Sequence, residues 1–229
     1  MKNQTLKLYG LTLDEINKKL DELNLEKQYI KTYVKEKYLD AFLYLESKGN
    51  DIEFDKYVAI IVNAFVKNLY ADKDVSLYER LFELLEVRKL TVALMEQGTG
   101  GILTNNLMAF DGAEKIVKAS YVIPSIKSMI DHFDLNPFKL TVNHGVCQEI
   151  AFDIASNIRS RIPADLYIVS LSTLAEGNDL YYNNSKIGFV AIGTASGVKL
   201  FKVDSELKKR DFMNQISKTI CFKLINILK

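Results

Sequence analysis

The feature that most constrains the fold is a glycine-rich turn placed directly after an apolar run. The run covers residues 89–94 (KLTVAL), the turn is QGTGG at residues 97–101, and a second apolar segment follows. This order predicts a buried strand, a tight turn and the start of a helix. Many α/β proteins hold an anion or a nucleophile at such a turn. Gln97 at its tip, however, carries a carboxamide, which is neither a nucleophile nor a base.

Strands and helices alternate along the rest of the second half. The strand-like stretch EKIVKASYVI precedes a helix that starts at Pro124, and a loop at Asn136-Pro137 precedes a helix over Val146–Ile162. DLYIVSLS is typical of a buried strand, KIGFVAIG and GVKLFKV pair as a hairpin, and Asp211–Leu228 is an amphipathic helix. We therefore predict the α/β class, as a three-layer sandwich with a mixed sheet.

The first 72 residues show a different pattern. A short strand at Leu6–Tyr9 is followed by a helix over residues 13–23, a hairpin over residues 29–46 and an apolar helical stripe over residues 54–69. Strand, helix, two strands and helix make a small α+β module whose element order suits a KH-like domain. We place the boundary near residue 72, which predicts domains 1–72 and 73–229.

The module lacks two features of a KH domain that clamps RNA. Its only glycines are Gly10 and Gly49, so the GxxG loop is missing. It also holds 11 lysines against 12 acidic residues. Nucleic acid is therefore not the expected partner, and an RNA-binding role of residues 1–72 stays as a third hypothesis.

Bulk composition indicates an ordinary cytoplasmic protein. The net charge is +1, which argues against nucleic acid or an anionic membrane as a default partner. No run approaches 18 apolar residues, so we expect no membrane span. Cys147 and Cys221 form no metal-ligand spacing and no disulfide framework, which fits a reducing compartment without a metal site.

Several candidate sites have a functional and a structural interpretation. The turn at 97–101 could cradle a phosphate, or it could be a tight turn with Thr99 as the helix cap. His144 and Cys147 could form a base–nucleophile pair, although Cys147 also falls on the apolar stripe of its helix. Lys127 is either a site residue or a solvated lysine, and Thr99 has no base nearby in sequence. The loop at 181–184 (YYNN) could rim a pocket or simply connect elements.

Three segments together resemble the C-terminal domain of CinA, the competence/damage-inducible family of PncC-type nicotinamide-nucleotide amidohydrolases. They are SLYERLFELLEVRKLTVALMEQGTGGIL, HGVCQEIAFDIASNIRSRIPADLYIVSLS and KIGFVAIGTASGVKLFKVDSELKKRDF, so the resemblance extends over residues 73–229. The N-terminal LKLYGLTLDEINKKLDEL also resembles the KH-like linker domain of full-length CinA proteins.

The resemblance implies hydrolysis of the carboxamide of nicotinamide mononucleotide, without a metal or other cofactor. The family nucleophile is the serine of ESCTGG, activated by a lysine. Here ESCTGG is EQGTGG, so Gln97 stands at the nucleophile position. The family's YSNEAK becomes YVIPSIK, with Tyr121 and Lys127 one residue further apart. The glycine loop TGIAGP becomes SLSTLA, and the arginine of GDRE becomes Ser205.

These replacements affect the reacting groups, whereas the residues that serve the fold persist. We therefore predict a catalytically inactive relative with a binding or scaffolding role. Its ligand site would be Gln97, Gly98, Thr99, Gly100 and Gly101, its ligand a nucleotide, and its partner a second copy in a homodimer. The alternative is an active amidohydrolase with a non-standard nucleophile, for which Thr99, Tyr121 and Lys127 are the candidate catalytic residues.

Overall fold

The chain forms two compact units in a computed structural model, which describes residues 2–26, 28–142, 146–173 and 186–229. Unit 1 comprises residues 1–80 with Lys229, and unit 2 comprises residues 81–228. The division falls within helix α3 (Leu77–Val87). A capping box starts this helix, because the amide of Glu79 donates to Ser76 Oγ at 3.1 Å and the amide of Ser76 donates to the Glu79 carboxylate at 3.4 Å.

Unit 1 is an antiparallel sheet with helices on one face. Its strands lie side by side in the order β2 (Ile30–Lys37), β3 (Asp40–Ser47), β1 (Asn3–Tyr9) and β4 (Leu69–Ala71). Leu6, Leu43 and Leu45 point from the sheet into a core shared with the helices. Thr12 caps the first helix in a capping box with Glu15. The elements are β1 (Asn3–Tyr9), α1 (Leu13–Glu22), β2 (Ile30–Lys37), β3 (Asp40–Ser47), α2 (Asp51–Ala64) and β4 (Leu69–Ala71).

The turn between β2 and β3 has an unusual composition. Tyr38 and Leu39 both adopt the left-handed region, with φ of 57° and 63°. A two-residue hairpin turn with positive φ at both positions normally takes Asn-Gly, because the Cβ of an L-residue crowds the following carbonyl oxygen there, and Gly and Asn tolerate this conformation best. The amide of Leu39 donates to Glu36 Oε1 at 2.5 Å, which compensates in part.

Unit 2 is an α/β sandwich around a mixed sheet, as predicted. Its strands lie in the order β6 (Val117–Val122), β5 (Val92–Glu96), β7 (Leu166–Ser172), β8 (Lys186–Thr194) and β9 (Gly197–Ser205). β5 runs parallel to β6 and β7, whereas β8 and β9 are antiparallel. Side chains of β7 alternate between a core shared with α8 and the opposite face, where α9 packs on β8. The elements are β5 (Val92–Glu96), α4 (Ile102–Leu107), α5 (Ala113–Ile116), β6 (Val117–Val122), α6 (Ile126–Phe133), α7 (Pro137–Val142), α8 (Gln148–Arg161), β7 (Leu166–Ser172), β8 (Lys186–Thr194), β9 (Gly197–Ser205) and α9 (Lys209–Ile227).

Some sequence predictions of element bounds were wrong. The stripe over residues 54–69 is not one helix, because α2 ends at Ala64 and Leu69 begins β4, which pairs with β1. The loop predicted at Asn136-Pro137 is the start of α7, where Asn136 accepts from the amide of Phe138 and proline occupies the first helical position. The first part of EKIVKASYVI is the short helix α5 rather than a strand.

Candidate functional site at the end of β5

Gln97 lies where β5 ends and is almost fully buried, with 8% of its surface exposed. Its side-chain oxygen accepts a hydrogen bond of 2.6 Å from the backbone amide of Ser172, at the end of the neighbouring strand β7. Its amide nitrogen lies 3.4 Å from Ser172 Oγ, as a donor. The backbone amides of Gln97 and Gly98 both donate to the carbonyl of Ser170. The Gln97 side chain therefore ties the end of β5 to the end of β7.

Glu96, the last residue of β5, is buried, and its carboxylate accepts hydrogen bonds from several neighbouring donors. Oε2 accepts from Thr99 Oγ1 at 2.5 Å and from the amide of Leu103 at 3.0 Å. Oε1 accepts from the amide of Thr104 at 2.8 Å and from its hydroxyl. These hydrogen bonds replace the bonds to water that the Glu96 side chain loses on burial. They also attach the start of α4 to the end of β5.

Thr99 is oriented toward Glu96 rather than toward a ligand. Its side chain is fully buried, and Ser170 Oγ lies 2.9 Å from its hydroxyl oxygen. Because Thr99 donates its proton to Glu96, Ser170 is the donor in this second bond. Thr99 also does not cap the helix as one interpretation predicted, since the N-cap residue of α4 is Gly101.

Two glycine positions of the turn have a clear physical requirement. A Cβ on Gly98 would lie 2.7 Å from the carbonyl oxygen of Leu171, so the turn can approach β7 only without a side chain. Gly101 has a φ of 88°, in the left-handed region that favours glycine. The turn therefore packs closely against the end of the sheet.

A small cavity of about 140 Å³ opens beside this turn. Its polar lining includes Ser172 from β7 and Lys209 from the first turn of α9. The first backbone amides of α9 begin at the same place, and no side chain caps them. A lysine and a helix N-terminus both favour an anion. The lining consists of Glu96, Gln97, Gly98, Gly100, Val122, Pro124, Ser172, Lys209 and Met213.

The structure brings only part of the predicted site together. Gln97, Gly98 and Gly100 line the cavity, whereas Thr99 and Gly101 do not. Tyr121 packs against the rings of His132 and Phe133, with centroid distances of 4.9 and 5.7 Å. Lys127 is exposed on α6 and does not line the cavity. The predicted pairing of these two residues with the nucleophile position is therefore not seen.

The remaining candidates lie elsewhere or outside the described residues. Cys147 is the N-cap residue of α8, is partly buried and packs against the core cluster of unit 2. His144 and the 181–184 loop lie outside the described residues. Ser205 accepts from the amide of Leu207 at 3.1 Å.

Sequence reasoning missed the two polar side chains that line the cavity from other elements. Ser172 lies in SLSTLA, at the place of the glycine loop in the resemblance described above, and Lys209 lies in LKKRDF, four residues after Ser205. The cluster of basic residues that opens the last helix was a usable signal for Lys209, since the start of a helix attracts anions.

No described cluster of three or more His, Cys, Asp or Glu side chains could hold a metal ion. Among the helices that the structure describes, none is both long and apolar enough to cross a membrane.

The chain belongs to the CinA C-terminal domain family, whose model matches residues 74–228. This match confirms the resemblance of the second half to that domain. A CinA-like protein of Chloroherpeton thalassium is 28% identical over 163 residues, which cover 69% of this chain and 38% of that protein. A putative competence-damage inducible protein of Clostridium botulinum (strain Kyoto) is 24% identical over 230 residues, which cover 96% of this chain and 54% of that protein. The chain thus spans less than two thirds of the length of these relatives.

A solved structure of the same family supports the fold. The competence or damage-inducible protein of Enterobacter asburiae superposes with a TM-score of 0.59 at 17% identity, over 68% of this chain and all of that chain. At this level of identity the similarity concerns the fold alone.

Proposed function

We propose that this protein is a non-hydrolytic relative of the PncC-type amidohydrolases that binds the anionic part of a nucleotide beside the β5 turn. The observation that carries the proposal is the bonding of Gln97 to Ser172 at the nucleophile position. A carboxamide held in this way supplies no attacking electron pair for amide hydrolysis. Thr99, the nearest hydroxyl in sequence, donates to Glu96 and does not line the cavity.

The binding role is supported by the basic groups and the size of the cavity. Lys209 and the start of α9 attract an anion, whereas the Glu96 carboxylate in the same lining is engaged by donors from Thr99, Leu103 and Thr104. The volume of about 140 Å³ is below the roughly 300 Å³ at which pockets for whole small molecules begin. The described cavity therefore suits the phosphate of a nucleotide rather than the whole nucleotide.

A calorimetric titration with nicotinamide mononucleotide, run beside an ammonia-release assay, tests both parts. We expect binding without ammonia release, and weaker binding by Lys209→Gln. Lys199→Gln, which removes an equal charge from the exposed part of β9, is the matched control and should bind as the unchanged protein does. Release of ammonia would contradict the proposal that the protein is non-hydrolytic. Absence of any heat of binding would contradict the proposal that it binds a nucleotide.

A second candidate function is amide hydrolysis with Ser172 as the nucleophile. Ser172 and Lys209 line the same cavity, and lysine is a known base for a serine hydroxyl. This candidate predicts ammonia release that Ser172→Ala abolishes and Lys127→Ala leaves intact.

The homodimer implied by the family resemblance stays a prediction, for which light scattering of the full chain is the measurement.

A further inference from the structure

The face of the unit 1 sheet opposite its helices carries a continuous set of aromatic and basic side chains. The inward residues of β1–β3 form the core with α1 and α2, so the alternate residues point to the other side. β2 contributes Lys31, Tyr33 and Lys35 to this outward side, and β3 contributes Phe42 and Tyr44. We call these five residues the aromatic face.

The three rings of the aromatic face lie next to one another. Tyr33 and Tyr44 are directly opposite in the β2–β3 register, and their ring centroids are 6.0 Å apart. Phe42 and Tyr44 lie with centroids 6.3 Å apart and ring planes within 4°. Tyr33, on the edge strand, is 42% exposed. The planes of Tyr33 and Tyr44 are inclined by 45°, so only Phe42 and Tyr44 are near-parallel. Neighbouring aromatic rings on the outward side of a sheet are a surface on which successive bases of a single strand stack.

Lysines surround these rings. Lys31 Nζ lies 4.5 Å from the centroid of Tyr33, and Lys7 Nζ lies 5.4 Å from the centroid of Phe42. Lys35 is directly opposite Phe42 in the strand register. The ammonium of Lys7 is half of an ion pair, with Asp74 Oδ1 at 3.6 Å, so Lys31 and Lys35 are the lysines placed to meet the phosphates that link stacked bases.

The net charge of the module conceals this arrangement because its charges are segregated by layer. α1 carries four acidic residues and two lysines, and α2 carries three acidic residues and one lysine. The outward side of the sheet instead carries more lysines than carboxylates. Its charged residues are Lys7, Lys31, Lys35, Lys37, Asp40 and Glu46.

We propose that the aromatic face binds single-stranded RNA, with bases stacked on its rings and phosphates beside its lysines. This mode differs from a KH clamp, which needs the GxxG loop that this module lacks. Thr5 is directly opposite Tyr44, and Glu46 is directly opposite Lys31. A hydroxyl and a carboxylate beside the rings can bond a ribose 2′-hydroxyl, which favours RNA over DNA.

Fluorescence anisotropy with the full chain and a labelled oligouridylate of about ten nucleotides tests the proposal, since such surfaces cover sites of this length. Tyr33→Leu should weaken binding roughly 5- to 150-fold, as the loss of one stacked base predicts, while Tyr33→Phe retains it. Lys35→Gln should lower the slope of log affinity against log salt by about 0.7.

Lys18→Gln on α1 is the matched control, because it removes the same charge from the helical layer. Its affinity and salt slope should equal those of the unchanged protein. Absence of binding at low salt, or an equal effect of Lys18→Gln and Lys35→Gln, would overturn the proposal. Equal or tighter binding of the corresponding oligodeoxyuridylate would overturn the assignment to RNA. Thermal melts of each variant separate lost contacts from lost folding.

Discussion

The side-chain oxygen of Gln97 accepts a hydrogen bond of 2.6 Å from the amide of Ser172, a residue of another strand. Both residues are almost fully buried, so this bond satisfies a backbone donor that water does not reach. The Gln97 side chain thus has a structural role in this chain.

Removal of the Gln97 side chain should destabilise unit 2. Gln97→Ala leaves the amide of Ser172 buried and without its acceptor, which costs about 1–3 kcal/mol. Asn105→Ala, at an exposed amide of α4, is the control and should change stability by no more than about 0.5 kcal/mol. Chemical denaturation of both variants is the measurement. Equal stability of the two would mean that the Gln97 bond contributes nothing.

Addition of a methyl group at Gly98 should be strongly unfavourable. A Cβ would lie 2.7 Å from the carbonyl oxygen of Leu171, which belongs to a buried strand and cannot move aside freely. We expect Gly98→Ala to lower the free energy of unfolding by about 1–3 kcal/mol or more.

Gly112→Asn provides the contrast to Gly98→Ala. Gly112 has open space around its Cβ position and a φ of 84°, in the region that asparagine tolerates among non-glycine residues. It should lose about 1 kcal/mol at most, from the strain of a positive φ and without a steric clash. A Gly98→Ala protein as stable as Gly112→Asn would contradict the close packing of the turn on β7.

Asp165 should make stability depend on pH in the acid range. The hydroxyl and amide of Thr91 donate to its carboxylate and hold the pKa of Asp165 below its ordinary value of 3.8. Since the folded pKa is the lower one, the stabilisation is complete above the unfolded value. It is lost as the pH falls below about 3.8 through the folded value.

Comparison of the unchanged protein with Asp165→Asn measures this effect. At neutral pH the variant should be less stable by about 0.5–1 kcal/mol, a small value because solvent screens the exposed carboxylate. The difference should vanish in strong acid, where both side chains are neutral. Thr91→Val should reduce the same pH dependence. A difference that persists at the acid end would contradict the assignment to ionised Asp165.

Relief of the β2–β3 turn should stabilise unit 1. Leu39 has a φ of 63°, which costs an L-residue about 1–2 kcal/mol, so Leu39→Gly should gain up to about 1 kcal/mol after the loss of its half-buried side chain. Lys37→Gly, in the extended part of β2, should instead lose about 0.5–1 kcal/mol. Hydrogen exchange of the β2 and β3 amides measures both, and faster exchange in Leu39→Gly would contradict the prediction.

The elements that sequence predicted best are those that local pattern determines. The β5 strand, the tight turn and the start of α4 follow from an apolar run and adjacent glycines. β4 escaped prediction because three residues after a helix become a strand only through pairing with β1. The β2–β3 turn carries no glycine, so its left-handed conformation has no local signal.

The site was predictable only in the part that one segment supplies. Gln97 and the glycines are read from the turn itself. Lys209 joins them through the packing of α9 on β8, where Gly188 allows close contact with Ile216. The aromatic face could not be predicted for a related reason. A net charge counted along the chain does not separate the helices of unit 1 from the outward side of its sheet.

The bond between Gln97 and Ser172 also limits how a hydroxyl could be introduced at this turn. A serine at position 97 is too short to replace the long amide as an acceptor for the backbone amide of Ser172, so the exchange would add a hydroxyl and remove a support of the turn. A variant that carries Gln97→Ser would therefore need a second change near the end of β7, one that supplies another acceptor for that amide.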